Sequence, residues 1–230
     1  MNLDVTVTMP KIDTGRFKFG EGGAAAGLKP IDIWQPQPKQ MELLQACGLD
    51  DALTGGAVKP AMCSTIGYGG AAFGGKTEGM IGVGLIACMT IPGVQVGYFR
   101  REFTELEGAD GPIYRTREIY PVAGAKYNDQ KHIWKNWPGN SKSSLHFCYC
   151  NTEKDVFRYQ SWAFDILLID EATHFSWFII DYLKTRNRVS KYSKIPNPFS
   201  LYCTNPGNIG HNWYMQTFGI EAGGARADGT

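Results

Sequence analysis

Gly70-Ala71-Ala72-Phe73-Gly74-Gly75-Lys76-Thr77 is the stretch on which the fold turns. It satisfies G-x-x-x-x-G-K-[ST] at every fixed position. The glycines let successive backbone N–H groups curl around phosphate oxygens without interference from a Cβ. Lys76 then reaches the β- and γ-phosphates and the Thr77 hydroxyl can ligate Mg²⁺. A helix beginning at this point turns its positive dipole end toward the anion. The flanks agree with the motif. Val58–Ile66 reads as a short buried strand leading in, and Lys76–Met89 as a helix leading out.

A phosphate loop alone holds no metal and activates no water. The second half of such a site is expected in Phe164-Asp165-Ile166-Leu167-Leu168-Ile169-Asp170-Glu171, a continuous apolar run ending in two acids. Runs of this kind are buried parallel strands. Alternation along the strand assigns Asp170 to the magnesium shell and Glu171 to the attacking water as general base. The adjacent glutamate favours hydrolysis over transfer to a bound acceptor.

Further from the loop, Val94–Phe99, Ser144–Cys150 and Phe199–Thr204 read as strands. Helices are expected after Pro38, over Arg100–Glu107, over Phe175–Leu183 and over Trp213–Phe218, while Asp110–Pro138 reads as mostly irregular. Strands alternating with helices give an α/β fold: a mostly parallel sheet with helices on both faces, of the P-loop NTPase class. Residues 1–30 read as an N-terminal arm, 31–220 as the ATPase domain and 221–230 as the start of a linker.

Composition narrows the function classes. The 230 residues carry 23 basic and 22 acidic side chains, a net charge of +1, which lacks the strongly basic signature of many nucleic-acid binders without excluding a local basic face. Lys126, Lys131, Lys135 and Lys142 interleave with Tyr127, Trp134 and Trp137, a composition suited to phosphate contact and base stacking, and equally to a solvated loop with aromatic anchors. The 28 glycines exceed the average usage of roughly 7%, and they cluster at 20–27, 67–79 and 207–229. No apolar run reaches transmembrane length, and Met1–Lys11 lacks a signal-peptide core. Six scattered cysteines form no C-x-x-C pair and are expected as reduced core thiols, with Cys148 and Cys150 on one face of a strand.

Four segments together resemble the large terminase subunit of tailed bacteriophages, the motor that packages DNA. They are Trp34-Gln35-Pro36-Gln37-Pro38-Lys39-Gln40, Tyr68 through Thr77, Leu168-Ile169-Asp170-Glu171-Ala172-Thr173-His174-Phe175, and Cys203-Thr204-Asn205-Pro206-Gly207 with Gly210-His211-Asn212-Trp213 after it. Thr185-Arg186-Asn187-Arg188 is similar to a recurrent basic element of these motors. The resemblance implies a RecA-like (ASCE) ATPase that uses ATP and Mg²⁺. It implies that Gln37 and Gln40 contact adenine, and that Thr204 and Asn205 sense the γ-phosphate and relay hydrolysis to DNA movement. Its implied partners are double-stranded DNA, a portal protein, a small terminase subunit and further copies of the chain in a ring, pentameric when docked. The implied setting is the host cytoplasm.

Two departures accompany the resemblance. Many relatives carry an arginine within the loop where this sequence has Ala72, so transition-state charge must be met elsewhere. Arg158, shortly before the acidic strand, is the expected trans-acting finger, with Arg101 second. No acidic cluster follows Phe218, so DNA cutting is not expected. The alternatives are a helicase- or recombinase-like ATPase and a nucleotide-binding assembly module without productive turnover.

Overall fold

A computed structural model describes residues 27–69, 75–205 and 207–220. The expected arm up to residue 26, loop residues Gly70–Gly74, Pro206 and the expected linker from 221 lie outside the described residues. Seven strands form one sheet: β1 (Thr65–Gly69), β2 (Gln95–Arg100), β3 (Lys126–Asn128), β4 (Ile133–Lys135), β5 (Ser144–Tyr149), β6 (Ile166–Ile169) and β7 (Phe199–Thr204). Their order is β1-β7-β6-β2-β5-β4-β3. The first five in that order run parallel, and β4 and β3 continue the sheet as an antiparallel hairpin.

Eight helices accompany the sheet among the described residues: α1 (Pro30–Ile33), α2 (Pro38–Ala46), α3 (Asp50–Leu53), α4 (Lys76–Thr90), α5 (Phe103–Glu107), α6 (Pro112–Ile119), α7 (Trp177–Lys184) and α8 (His211–Phe218). They cover both faces, as strand alternation requires. Ile166 and Leu168 face a core built with α1–α4 and α6. Leu167 and Ile169 face a second core built with α7, α8 and the 3-10 turn Glu153–Tyr159. A four-residue strand carrying aliphatic side chains on both faces is the physical content of the unbroken run Ile166-Leu167-Leu168-Ile169. Helix α4 is apolar all round and is buried from Gly79 to Cys88, the pattern of a central core helix.

Two expectations are corrected. The strand expected over Val58–Ile66 begins at Thr65 and runs to Gly69. Residues 58–64 are tied down instead by loop bonds, Lys59 N to Gly48 O and Met62 N to Ala46 O, with the Met62 side chain exposed. The stretch read as irregular, Asp110–Pro138, contains α6 and the β3–β4 hairpin. Pro112 at the first turn and the spacing Ile113, Thr116, Ile119 account for α6.

The hairpin also decides the fate of the lysine–tryptophan stretch. Trp134 and Trp137 are 2% and 1% exposed and pack their rings against Tyr120, so they cannot stack on bases. The interleaved lysines are simply the outward positions around an inward-facing aromatic core. Cys47, Cys88, Cys148, Cys150 and Cys203 are buried free thiols, Cys148 and Cys150 on one face as expected, and Cys63 is exposed. No described helix is long and apolar enough to cross a membrane.

Candidate nucleotide site

In a parallel sheet, ligands gather at the carboxyl ends of the strands. Here β1 leads into the phosphate loop, β6 delivers Asp170 and Glu171, and β7, which lies between them, delivers Thr204 and Asn205. Gly75 closes the loop with φ +66°, a left-handed conformation, and a Cβ there would lie 2.9 Å from Gln40 Nε2. Lys76 and Thr77 follow as the first residues of α4.

The side chains converge. Lys76 Nζ donates to Asn205 Oδ1 at 2.8 Å, and Thr77 Oγ1 donates to Asp170 Oδ2 at 3.2 Å. Asp170 is 2% exposed and receives Tyr98 OH at 2.8 Å and Arg100 Nε at 2.9 Å on the same oxygen. Burial, with the charge of Asp170 second, pushes the Tyr98 phenol well up, so it stays a donor. Burial works against the Arg100 charge, but Asp170 outweighs it and the guanidinium is held firmly protonated. A buried pair of this kind requires excellent geometry and additional hydrogen bonds, and both are present.

Glu171 follows in the left-handed region at φ 50°, ψ 47°. A non-glycine residue held there stores strain of a kind that clusters at functional sites. Its amide donates to Asp170 Oδ1 at 3.1 Å. The turn aims its carboxylate into a cleft of about 570 Å³ lined by Lys76, Thr77, Asp110, Tyr114, Arg115 and Asn205, among others. A second cleft of about 580 Å³ adjoins it and shares Asp110, Glu171 and Asn205.

The remaining expected residues divide. Gln40 is buried, and its amide is engaged at both ends: Oε1 accepts from Gln37 N at 2.8 Å and Nε2 donates to Gly75 O at 2.9 Å. Those bonds tie α2 to the end of the loop. Gln37 is exposed beside it. Trp34 anchors the same segment by donating Nε1 to Glu78 Oε1 at 3.1 Å and laying its ring where a Cβ on Gly82 would be 2.4 Å away.

Thr204 is 3% exposed and does not line the cleft. Its hydroxyl shares a 2.7 Å bond with Thr173 Oγ1 and donates to Asn205 O at 3.0 Å. Asn205 is therefore the residue of this strand end that faces the cleft, with Thr204 behind it. Arg158 lies in the 3-10 turn after β5, is about half exposed, pairs with Asp155 at 2.6 Å and sits over the Tyr149 ring. Arg101 donates to His174 O at 3.2 Å. Neither lines either cleft.

Tyr114, Arg115 and Arg100 are among the lining residues that the sequence motifs do not announce. Tyr114 and Arg115 were lost with helix α6. Arg100 ends β2, which neighbours the acidic strand. An arginine ending the strand that neighbours the acidic one was the available signal for it.

Thr77 Oγ1 and Asp170 Oδ2 are hard oxygen donors 3.2 Å apart beside the loop, a pair that suits Mg²⁺. No group of three or more acidic, histidine or cysteine side chains forms a metal cage among the described residues. A cation here would take the rest of its shell from phosphate and water, as Mg²⁺ commonly does.

No protein-family model matches the chain, and no curated protein matches it. Solved structures do. The large terminase ATPase domain of Thermus phage P74-26, in a mutant form, superposes with a TM-score of 0.54 at 14% identity, over 88% of this chain and 80% of that one. The large terminase of a thermophilic bacteriophage gives 0.56 at 15%, over 75% of this chain and 40% of the other. The HK97 bacteriophage large terminase gives 0.51 at 12%, over 74% and 33%. The chain thus corresponds to well under half the length of the latter two. At such identities the likeness speaks for architecture: this chain has the α/β P-loop NTPase fold of phage large terminase ATPase domains.

Proposed function

We propose that the chain is an ATP-hydrolysing motor domain of the large-terminase type, which drives double-stranded DNA into a phage prohead. The observation that carries this reading is the convergence of Lys76, Thr77, Glu171 and Asn205 from three adjacent strand ends onto one cleft, with the buried Asp170 bonded to Thr77. Lys76 would bind the β- and γ-phosphates. Glu171 would hold and deprotonate the attacking water. Thr77 and Asp170 would hold Mg²⁺, which when bound neutralises charge on the phosphate oxygens. Tyr114, exposed on the cleft wall, offers a ring for the base.

Asn205 grips Lys76 and is continuous with Thr204, which is tied to Thr173; Thr173 O in turn accepts Gly210 N at 2.8 Å, at the start of α8. A change at the γ-phosphate would thereby be linked, through hydrogen bonds and the backbone between them, to a helix on the far face, a route from hydrolysis to movement. The transition-state charge left by Ala72 would be met in a ring of copies by Arg158 in trans, with Arg101 second. Mixing Arg158→Ala with Lys76→Ala subunits should restore turnover; mixed rings without recovery would exclude the trans role. Portal protein and small terminase subunit are the partners this reading implies.

The test of the core reading is Glu171→Gln. Phosphate release should fall by about 10²-fold or more while nucleotide binding is retained. Unchanged turnover would remove Glu171 from the role of base. Turnover stimulated by double-stranded DNA would separate a motor from an assembly module.

A further inference from the structure

Asp170 Oδ2 is crowded. Thr77 Oγ1 lies 3.2 Å from it, Tyr98 OH 2.8 Å, Arg100 Nε 2.9 Å and a terminal nitrogen of Arg100 2.7 Å. The same terminal nitrogen, Nη2, is 3.5 Å from Thr77 Oγ1. The guanidinium therefore bridges the two oxygens that suit Mg²⁺. Two cations competing for one buried carboxylate oxygen repel strongly in a low-dielectric site, so one must displace the other.

The other end of the same guanidinium points to α5, where Nη1 donates to the Glu105 carbonyl at 2.9 Å. The Glu105 carboxylate has one oxygen, Oε2, that is buried with no hydrogen-bond partner among the described residues. Glu105 and Arg100 both line the second cleft. A buried carboxylate oxygen without a donor is costly and calls for an explanation. A donor that arrives in another state of the molecule supplies one.

We propose that Arg100 is a two-position latch. It rests on Asp170 and Thr77 while the site is free of metal-bound nucleotide, and it turns to the Glu105 carboxylate when Mg²⁺ with nucleotide takes those two oxygens. The proposal rests on the ATPase reading above. Tyr98 stays on Asp170 in both positions and keeps the carboxylate oriented. The latch makes metal-bound nucleotide bind more weakly than its contacts alone would dictate, by the factor set by the fraction of open molecules. It leaves metal-free nucleotide unaffected, because Arg100 is held by Asp170, Thr77 and the Glu105 carbonyl, the first two being the oxygens that suit the metal. A permanent ion pair that merely orients Asp170 makes the opposite demand: losing Arg100 would then weaken metal binding.

The experiment titrates Mg²⁺ against the full chain with a fluorescent ADP analogue and reads the half-saturating metal concentration. Free Mn²⁺ measured by electron paramagnetic resonance provides a second readout. Arg100→Ala and Arg100→Gln should lower the metal requirement by about tenfold, with affinity in EDTA unchanged. Glu105→Gln should raise it by about threefold in the parent chain and have no effect beside Arg100→Ala. A metal requirement that rises or stays constant on losing Arg100 overturns the latch. Should the Arg100 variants fail to fold by circular dichroism, Glu105→Gln decides alone, and an unchanged requirement overturns it. If the parent chain binds no analogue, or Lys76→Ala binds it equally well, the nucleotide-site reading has failed instead.

Discussion

The bond between Thr173 and Thr204 is the most exacting test of how this site is wired. The two hydroxyls meet at 2.7 Å with Thr173 and Thr204 only 1% and 3% exposed, and Thr204 Oγ1 also accepts Thr173 N at 3.3 Å. Thr204→Val keeps the shape but withdraws a partner from two buried groups of Thr173. That should cost about 2 kcal/mol. In a domain of this size the melting temperature then falls by about 4–8 °C. Thr173→Val leaves Thr204 its bond to the Asn205 carbonyl and should cost less, about 1 kcal/mol.

The double variant removes both ends of the bond, so its loss should fall short of the sum of the singles by about 1 kcal/mol. Urea unfolding of the four proteins at constant m-value measures that coupling. Turnover is followed in parallel. Because the Thr204 hydroxyl does not reach the cleft, each single variant should slow phosphate release while leaving nucleotide affinity unchanged. Additive losses would refute the bond, and a matching loss of nucleotide affinity would refute the placement of Thr204 behind Asn205.

Other outcomes follow from separate contacts. His146 is largely buried between the Trp162 and Phe164 rings, and burial pulls its pKa down to about 4. The unfolded chain, with a histidine near 6.5, binds the proton more readily, so stability falls as pH drops from about 6.5 to 4. The loss should reach as much as about 2 kcal/mol at pH 5, and His146→Gln should flatten that slope in denaturation curves. Gly82→Ala sets a methyl 2.4 Å from the Trp34 ring; overpacking should outweigh the gain in helix propensity and lower stability by about 1–2 kcal/mol in a thermal melt. Tyr114→Ala should weaken nucleotide binding several-fold without lowering the melting temperature, since the ring is 53% exposed on the cleft wall.

Much of this was legible in the chain because local signals and burial agreed. Phe199–Thr204 is a strand with the bounds its apolar run suggests, buried at all six positions. The phosphate-loop helix starts at Lys76, where the motif places it. The failures have physical causes. Val58–Ser64 looks like a core strand by composition, but Pro60 breaks the ladder pattern and backbone bonds to Gly48 and Ala46 carry it as a loop. Around Trp134 and Trp137 the alternating lysines left a nucleic-acid surface and a solvated loop with aromatic anchors both open, and the buried rings decide for anchors. Gln40 also has a second part that its motif did not announce: its buried amide bonds Gly75 O and Gln37 N and so ties α2 to the loop.

The least legible feature was the order of the strands, and the site depends on it. Chain order places the Asp170 strand before the Asn205 strand and far from the phosphate loop. Spatial order puts β7 between β1 and β6. Only from that middle position can one strand end present Asn205 to Lys76 on one side and Thr204 to Thr173 on the other. The two threonines and the asparagine therefore divide their work by register. Adjacent residues on a strand point to opposite faces, so the polar pair at 204–205 cannot both face the cleft. One becomes the contact and the other the link to α8. A strand end that sensed a nucleotide would need both properties together, and a pair of polar residues ending the strand between β1 and β6 is the smallest element that supplies them.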